Sequence, residues 1–269
     1  IFPLLSPTTF YLLVMNLAQS TEYFVEADGV RSRTHTIEVA DLPYVGEMTH
    51  TYVFPAYTGL EPRQVEDAGD IAALAGTRVE LTIVPTLPTS AGRILLEDST
   101  VLDLAPASGG TLTGEILVAR GGSYRIELAR DDGRMVEASP EFTIDLLSDL
   151  PPTVAISRPG RDTDASAVEE LFVEARADDD YGVHELRLVY SVNGGAPDTV
   201  SLFRGGGEPV GEISAGHTLF LEEWELEAGD IVSYYAVASD NRVGAQAEAL
   251  SDIYFVTVRP FRRDFRQAQ

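Results

Sequence analysis

The chain has 269 residues, a formal net charge of −24 at neutral pH, and hydrophobic and charged fractions ordinary for a globular protein. Its length predicts about two domains, and a negative field of this size excludes nucleic acid as a partner because it repels phosphate backbones. There is no Cys and every basic residue is Arg, which excludes disulfides, thiolate metal sites, thiol nucleophiles and Schiff-base chemistry.

The N-terminal segment carries no charged residue before Glu22, so it is a candidate membrane or signal segment. A spanning helix needs about 20 mostly apolar residues, whereas Pro and polar residues interrupt this stretch and no Lys or Arg precedes it. We predict instead a buried strand over residues 9–17 and no clear membrane anchor. The apolar side chains of this strand then need cover from a partner: Phe10, Leu12 and Val14.

A pattern built on a tyrosine occurs three times, at Tyr23, Tyr124 and Tyr235. Each copy predicts two alternating strands joined by a turn of Asp, Asn or Gly, which is a β-hairpin. The copies lie roughly 100 residues apart, the length of an immunoglobulin-like sandwich, so each hairpin is the F–G pair that ends a domain. In the third copy, the turn before Tyr234 and Tyr235 predicts a tyrosine corner, in which a Tyr hydroxyl hydrogen-bonds back to that turn.

These hairpins predict an all-β fold of tandem immunoglobulin-like β-sandwiches, of which the first is incomplete. Residues 1–43 supply the C-terminal strands of the partial sandwich, and residues 44–150 form a complete one. Residues 151–260 form another sandwich with a tyrosine-corner-like F strand, and residues 261–269 form an Arg-rich tail or the start of a helix. Pro151-Pro152 predicts a stiff linker between the two full sandwiches.

Three groups of short segments carry a resemblance to known proteins. They are YVFPAYTG at 52–59 with GDIAALAGT at 69–77, PPTV at 151–154 with ADDDYGV at 177–183, and RPF at 259–261. Together they resemble a family of large, uncharacterised bacterial proteins with tandem immunoglobulin-like domains. The resemblance implies extracytoplasmic domains followed by a long helical or low-complexity region, and it brings no established activity and no catalytic motif.

Two segments come close to catalytic motifs, and each lacks a required residue. Leu188 stands where a zinc-protease motif starting at His184 needs its second His. Glu212 stands where a nucleophile elbow around Ser214 needs its first Gly. We therefore predict that the protein is not an enzyme.

One acidic cluster has a candidate chemistry, and it consists of Asp178, Asp179 and Asp180. At a pole of a sandwich, joined by Asp162 or Asp240 from neighbouring loops, these carboxylates would form an oxygen cage for Ca²⁺. The other interpretation is a turn, in which Asp and Gly cap exposed backbone N–H groups. The turn is preferred because no EF-hand loop is present, and Ca²⁺ is the one cofactor left open.

The C-terminal tail concentrates positive charge on an otherwise acidic chain. Because Arg pairs bidentately with carboxylate and phosphate, the tail is a candidate docking point for an acidic protein or for anionic lipid headgroups. The alternative is a solvated start to the next segment. The candidate docking residues of the tail are Arg259, Phe261, Arg262, Arg263, Phe265 and Arg266.

These patterns favour a non-catalytic, extracytoplasmic (periplasmic) scaffolding or binding module. Because the chain begins at Ile1 inside a partial domain, we expect it to be the ordered or processed part of a longer protein held in a larger assembly. The predicted role is an accessory structural subunit on the outer face of a multi-subunit membrane complex, with a photosynthetic reaction-centre and antenna assembly as the most specific candidate. The alternative is a carbohydrate-binding or accessory module of a glycan-processing system, which the presence of a single Trp, Trp224, makes weaker.

Overall fold

The computed structural model describes residues 13–242 and 247–261, and it is built almost entirely of β-strands. The first unit is an N-terminal hairpin in which β1 (Thr21–Tyr23) pairs with β4 (His35–Ile37) and β2 (Glu26–Ala27) pairs with β3 (Val30–Arg31). Every residue of these four strands is exposed. The tyrosine pattern is therefore a hairpin here, but no second sheet of the described chain covers it.

The prediction of a strand over residues 9–17 is wrong for residues 13–17, the part of that range that the structure describes. Residues 13–17 form no strand, and Val14 is 49% exposed. An alternating apolar sequence becomes a strand only where a neighbour pairs with its backbone, and the described residues provide none here. Phe10 and Leu12 lie outside the described residues.

The middle sandwich is formed by two sheets of residues 45–147. One sheet has the order β6-β5-β8-β11, and the other has the order β9-β12-β14-β7 with β13 on the far half of β12. Strand β10 pairs with both β9 and β11 and so joins the sheets at one side. The strands are β5 (Val45–Val53), β6 (Arg63–Val65), β7 (Ile71–Leu74), β8 (Arg78–Pro85), β9 (Gly92–Leu96), β10 (Val101–Pro106), β11 (Leu112–Leu117), β12 (Gly122–Ala129), β13 (Met135–Glu137) and β14 (Phe142–Leu147).

The last sandwich is formed by two sheets of residues 153–259. One sheet has the order β15-β17-β20, and the other has the order β16-β23-β21-β18-β19 with β22 on β21. The strands are β15 (Thr153–Arg158), β16 (Thr163–Ser166), β17 (Glu170–Asp178), β18 (Val183–Val192), β19 (Asp198–Arg204), β20 (Glu212–Phe220), β21 (Ile231–Asp240), β22 (Glu248–Leu250) and β23 (Tyr254–Arg259).

Both sandwiches share one feature of their connectivity: a short early strand lies in the other sheet from the strands beside it in sequence and pairs in parallel with the final strand. These pairs are β7 with β14 and β16 with β23. Strict alternation explains the two layers: along β8, Val79, Leu81 and Ile83 are buried and the residues between them are exposed. The predicted all-β fold of immunoglobulin-like sandwiches is confirmed.

The tyrosine pattern marks the core of each sandwich, but with a shift in the last one. Tyr124 stands opposite Phe142 and Tyr234 opposite Tyr254, and both tyrosines are buried. Tyr235 is the neighbour that faces outward and is only half-buried, so assigning the repeat to Tyr235 was wrong by one residue. A one-residue shift moves a side chain to the other face of a sheet.

The tyrosine corner predicted for the last sandwich is also wrong. The hydroxyl of Tyr234 has no hydrogen-bond partner among the described residues. In the middle sandwich the Tyr124 hydroxyl donates to the carbonyl of Gly69 at 2.5 Å and lies 3.2 Å from Nε2 of His50. That contact joins strands far apart in sequence instead of closing the local corner.

Candidate functional site at the junction of the sandwiches

The predicted docking residues do not gather at one place in the described structure. Arg259 is paired with Glu169 of its own sandwich, with 2.7 Å between the guanidinium and the carboxylate. Phe261 is 61% exposed. Arg262, Arg263, Phe265 and Arg266 lie outside the described residues, so docking through the tail stays a prediction.

The three consecutive aspartates have three different environments. Asp178 ends β17 and stands between Thr153 and Glu212 in the sheet. Asp179 is buried, and its Oδ2 accepts hydrogen bonds from the backbone N–H groups of Tyr181 (3.0 Å) and Gly182 (2.7 Å). Asp179 therefore makes the turn that the preferred interpretation describes, and Asp180 is exposed beside it.

This turn contacts the middle sandwich through a polar bridge. Nδ2 of Asn241 donates to the carbonyl oxygen of Tyr57 (2.7 Å) and to that of Tyr181 (3.0 Å). The rings of Tyr57 and Tyr181 meet edge to face, with 6.5 Å between their centroids. One side chain of the last sandwich thus holds two backbone segments from different sandwiches.

Local turn chemistry places Tyr57 at this contact. A 3₁₀ turn over Ala56–Thr58 follows Pro55 and ends at Gly59, whose φ of 63° lies in the left-handed region. A Cβ at Gly59 would lie 2.6 Å from a side-chain carbon of Pro209. Glycine is therefore needed at residue 59 both for the turn and for the close approach of the two sandwiches.

The linker adds a buried carboxylate to the junction. The side chain of Asp149 is 5% exposed, and its Oδ2 lies 3.9 Å from Nε of Arg242. Neither oxygen of Asp149 has a hydrogen-bond partner among the described residues. Pro152, in the same linker, is buried while Pro151 is exposed.

The electrostatics of the junction follow from burial among these carboxylates. Burial raises the pKa of Tyr57, and with the added effect of Asp149 and the lowering effect of Arg242 the pKa is about 12. Burial also raises the pKa of Asp179 to about 6, against the lowering effect of its two backbone hydrogen bonds, and Asp180 and Asp149 add to the rise. Burial, followed by Asp180 and Asp149, raises the pKa of Tyr181.

An open cleft of about 520 Å³ lies next to these groups and is lined by both sandwiches. Its carboxylates come from Glu61 of the middle sandwich and from Asp180 and Glu208 of the last one. Within residues 13–242 and 247–261, no three His, Cys, Asp or Glu side chains are already placed to hold a metal. The cleft is thus acidic and open, without a finished carboxylate cage.

Two of the segments that meet at the junction carried the family resemblance, but nothing in the sequence indicated that they contact each other. Tyr57 belongs to the YVFPAYTG segment and Tyr181 to the ADDDYGV segment, both of which carried the family resemblance. Asn241 and Asp149 were missed because single polar residues in loops give no pattern. The usable signal was that the segments of Tyr57 and Tyr181 carry the same family resemblance, which marks them as candidates for one shared contact.

The comparisons with known proteins leave the function open. No protein-family model matches the chain, and no curated protein matches it. Among solved structures, it is similar to fibronectin(III)-like modules of CbhA from Clostridium thermocellum, with 20% identity, 75% of this chain and 96% of that chain covered, and a TM-score of 0.25. It is also similar to Dpr11 IG1 bound to DIP-gamma IG+IG2, with 16% identity, 71% and 95% covered, and a TM-score of 0.26.

TM-scores this low do not establish a shared fold, so the assignment of the sandwiches rests on the strand pairing of this chain. Membership of the uncharacterised bacterial family stays a prediction. Across the described part of the chain, no helix has the length and apolar character needed to cross a membrane.

Proposed function

We propose that the chain is a non-catalytic, extracytoplasmic module that holds two immunoglobulin-like sandwiches in a fixed orientation and presents them to protein partners. The observation that supports this is the bridge made by Asn241, which bonds to Tyr57 and Tyr181 across the junction. Tandem sandwiches act through their faces, edges and loops. A fixed junction determines how those surfaces are spaced.

The partner proposed is a multi-subunit membrane complex, on whose outer face the chain is an accessory structural subunit. The net charge of −24 disfavours close approach to acidic surfaces except where positive charge is concentrated. Since Arg259 is already paired with Glu169, docking would depend on the tail beyond it and on exposed Phe261. The narrower prediction of a photosynthetic reaction-centre and antenna assembly stays a prediction.

The fixed orientation is tested by distance measurements between the sandwiches. The chain has no Cys, so Asp103→Cys and Ser201→Cys would label one exposed strand position in each sandwich. We expect a narrow distance distribution by electron–electron double resonance, which Asn241→Ala broadens. Replacing both Pro151 and Pro152 by Gly should broaden it as well.

Asn16→Ala serves as the matched control because Asn16 is exposed and lies outside both sandwiches. It should leave the distribution unchanged. A broad distribution in the parent protein would contradict the fixed orientation, and so would a distribution that neither Asn241→Ala nor the double Gly variant changes.

The partner is tested by photo-crosslinking in the cells that produce the protein. A photoreactive residue replaces Val14 or Phe261, with Asp103 in the middle sandwich as the control position. We expect crosslinks to subunits of one membrane complex from the two ends and none from position 103. Crosslinks to glycan-processing enzymes, or equal crosslinking from all three positions, would contradict the proposal.

A second candidate function is carbohydrate binding, and one surface favours it. Phe172 and Phe220 are both exposed on the outer face of the three-stranded sheet of the last sandwich, and the Phe172 ring lies across Gly216. Trp224, by contrast, stacks on Tyr190 with 4.8 Å between the centroids. Retention on insoluble polysaccharide that Phe172→Ala abolishes would support this candidate over the first.

A further inference from the structure

Oxygen atoms without hydrogen-bond partners are concentrated at the junction. They belong to four side chains of the linker, the turn after β17 and the end of β21. The hydrogen bond from Asn241 to Tyr181 and the approach of Arg242 to Asp149 bring these three segments together. The atoms are both carboxylate oxygens of Asp149, Oδ1 of Asp179, Oδ2 of Asp240 and Oδ1 of Asn241. Asp149, Asp179 and Asp240 are each more than nine-tenths buried.

These oxygens are all acceptors, so only a donor or a cation can satisfy them. A buried carboxylate oxygen that loses water without gaining a partner costs free energy, and native proteins leave few such atoms. The second oxygen of Asp179 already accepts two backbone hydrogen bonds, and that of Asp240 accepts two more, from Arg242 and Ala247. The orphaned oxygens are therefore extra to what the turns need.

The balance of charge at the junction is negative. Asp149 and Asp180 both act on the carboxyl of Asp179. Asp240 adds a further buried carboxylate at the end of β21, whereas Arg242 contributes a guanidinium whose Nε is 3.9 Å from Asp149. The neighbouring cleft adds the carboxylates of Glu61 and Glu208. Each further anion in a partly buried group raises the free energy of the others.

We propose that this junction binds a divalent cation that prefers oxygen ligands, of the Ca²⁺ class, and that the ion ties the two sandwiches together. The ligand types on hand are carboxylate and side-chain amide oxygens, which Ca²⁺ accepts in irregular sets of six to eight together with backbone carbonyls and water. Mg²⁺ demands a more regular octahedron, which three separate loops are poorly suited to supply.

The proposed ligands differ from the three consecutive aspartates that the sequence analysis named as candidates. Asp178 is not among them, since it belongs to β17 and stands between Thr153 and Glu212 in the sheet, before the turn that holds Asp179. Asp149 of the linker and Asn241 after β21 take part instead. Because no three carboxylates of the described residues are already placed around a metal, the ion completes its shell by drawing Asp149 and the exposed Asp180 toward it, together with water.

The test uses Tb³⁺, a luminescent substitute for Ca²⁺ that emits when a nearby tyrosine absorbs the light. Tyr57 and Tyr181 meet at the junction, so the full chain should sensitise Tb³⁺ emission, and Ca²⁺ should displace the Tb³⁺. We expect a Ca²⁺ dissociation constant of about 10⁻⁴ to 10⁻³ M, the range of extracellular modules. Tyr57→Phe should weaken the emission more than it weakens Ca²⁺ binding measured by calorimetry.

Asp149→Asn should weaken Ca²⁺ binding at least about tenfold, a difference of about 1.4 kcal/mol. Asp103→Asn removes one exposed carboxylate from the middle sandwich and should leave the affinity unchanged. The fluorescence of Trp224 and circular dichroism check that the variants are folded. If Asp149→Asn does not fold, Asp180→Asn replaces it, since Asp180 is exposed.

Two results would overturn the proposal. One is Ca²⁺ affinity that is equal in the parent protein, Asp149→Asn and Asp180→Asn. The other is a rise in thermal stability with Ca²⁺ that NaCl at matched ionic strength reproduces, because that would show only screening of the −24 charge.

Discussion

The two sandwiches share a fold but use the same core tyrosine differently. Tyr124 and Tyr234 occupy equivalent positions opposite an aromatic residue of the final strand, and both are fully buried. The Tyr124 hydroxyl donates to Gly69 and contacts His50, whereas the Tyr234 hydroxyl has no partner among the described residues. The repeat thus preserves the ring that fills the core, while the polar end has a role in only one sandwich.

The pKa values of the two tyrosines shift in the same direction, and the difference between the sandwiches lies in His50. Burial raises the pKa of Tyr234 to about 12, with added contributions from Asp162 and Tyr254. Burial also raises the pKa of Tyr124. In the middle sandwich, burial lowers the pKa of the adjacent His50 to about 4. The middle sandwich therefore has a buried imidazole beside its core tyrosine, and acidification acts on that imidazole.

Acidification is expected to have the largest effect on this comparison. The pKa of His50 is about 4 when folded and 6.5 when unfolded, so between these values the unfolded chain binds a proton that the folded chain does not. The free energy of unfolding of the middle sandwich should therefore fall as pH drops from 6.5 to 4, by up to about 3 kcal/mol. Calorimetry across this range would measure it.

His50→Gln is the matched control because a neutral amide cannot gain this proton. The variant should lose the acid sensitivity of the middle sandwich over that interval. Trp224, which packs in the last sandwich, reports the other half of the chain separately. The assignment to His50 would be wrong if the variant and the parent protein lost stability equally between pH 6.5 and 4.

The second-largest difference in stability between the sandwiches is expected from removing their core tyrosine hydroxyls one at a time. Tyr124→Phe leaves the partly buried carbonyl of Gly69 and the buried ring of His50 without this partner, which should cost about 1 to 3 kcal/mol. Tyr234→Phe removes a hydroxyl that has no partner, so its effect should be near zero or slightly stabilising. Denaturant unfolding of both variants measures the difference.

Each substitution is the control of the other, because the chemical change is identical and both rings are buried. Equal losses of stability from Tyr124→Phe and Tyr234→Phe would show that the hydroxyl of Tyr234 has a partner after all. That result would remove the contrast between the sandwiches.

The smallest difference in stability is expected from the turns that follow β9 in the middle sandwich and β18 in the last one. Asn193-Gly194 forms a turn at the end of β18, in which both residues have a positive φ and the N–H of Gly195 donates to the carbonyl of Val192. Ser99, in the turn from β9 to β10, also has a positive φ of 69° but carries a Cβ. Gly194→Ala should cost about 1 to 2 kcal/mol, whereas Ser99→Gly should stabilise by about 0.5 kcal/mol.

Thermal unfolding of the two turn variants measures these opposite signs. Gly206→Ala is a suitable control, since an added Cβ at Gly206 meets no atom within 4 Å and its φ is not positive. A loss of stability in Ser99→Gly would mean that the Ser99 side chain contributes more than its backbone strain removes.

Much of the fold could be predicted because local patterns have local causes. The alternation along β8 sets which residues are buried, and Asn193-Gly194 specifies a tight turn. Strands β7 and β16 were harder to foresee, because a strand of four residues is stabilised by its parallel partner at the far end of the domain. The shift from Tyr235 to Tyr234 has the same origin, since two adjacent tyrosines satisfy the alternation equally well.

The sequence by itself determined the all-β class, the tyrosine hairpins and the absence of thiol and amine chemistry, because strand alternation, turn residues and composition depend on neighbours along the chain. Tertiary structure alone decided that Tyr57 meets Tyr181, that Asn241 joins them, and that Asp149 lies buried in the linker beside Arg242. Those contacts join residues far apart in sequence, and their energies depend on distance and burial, which no spacing along the chain specifies.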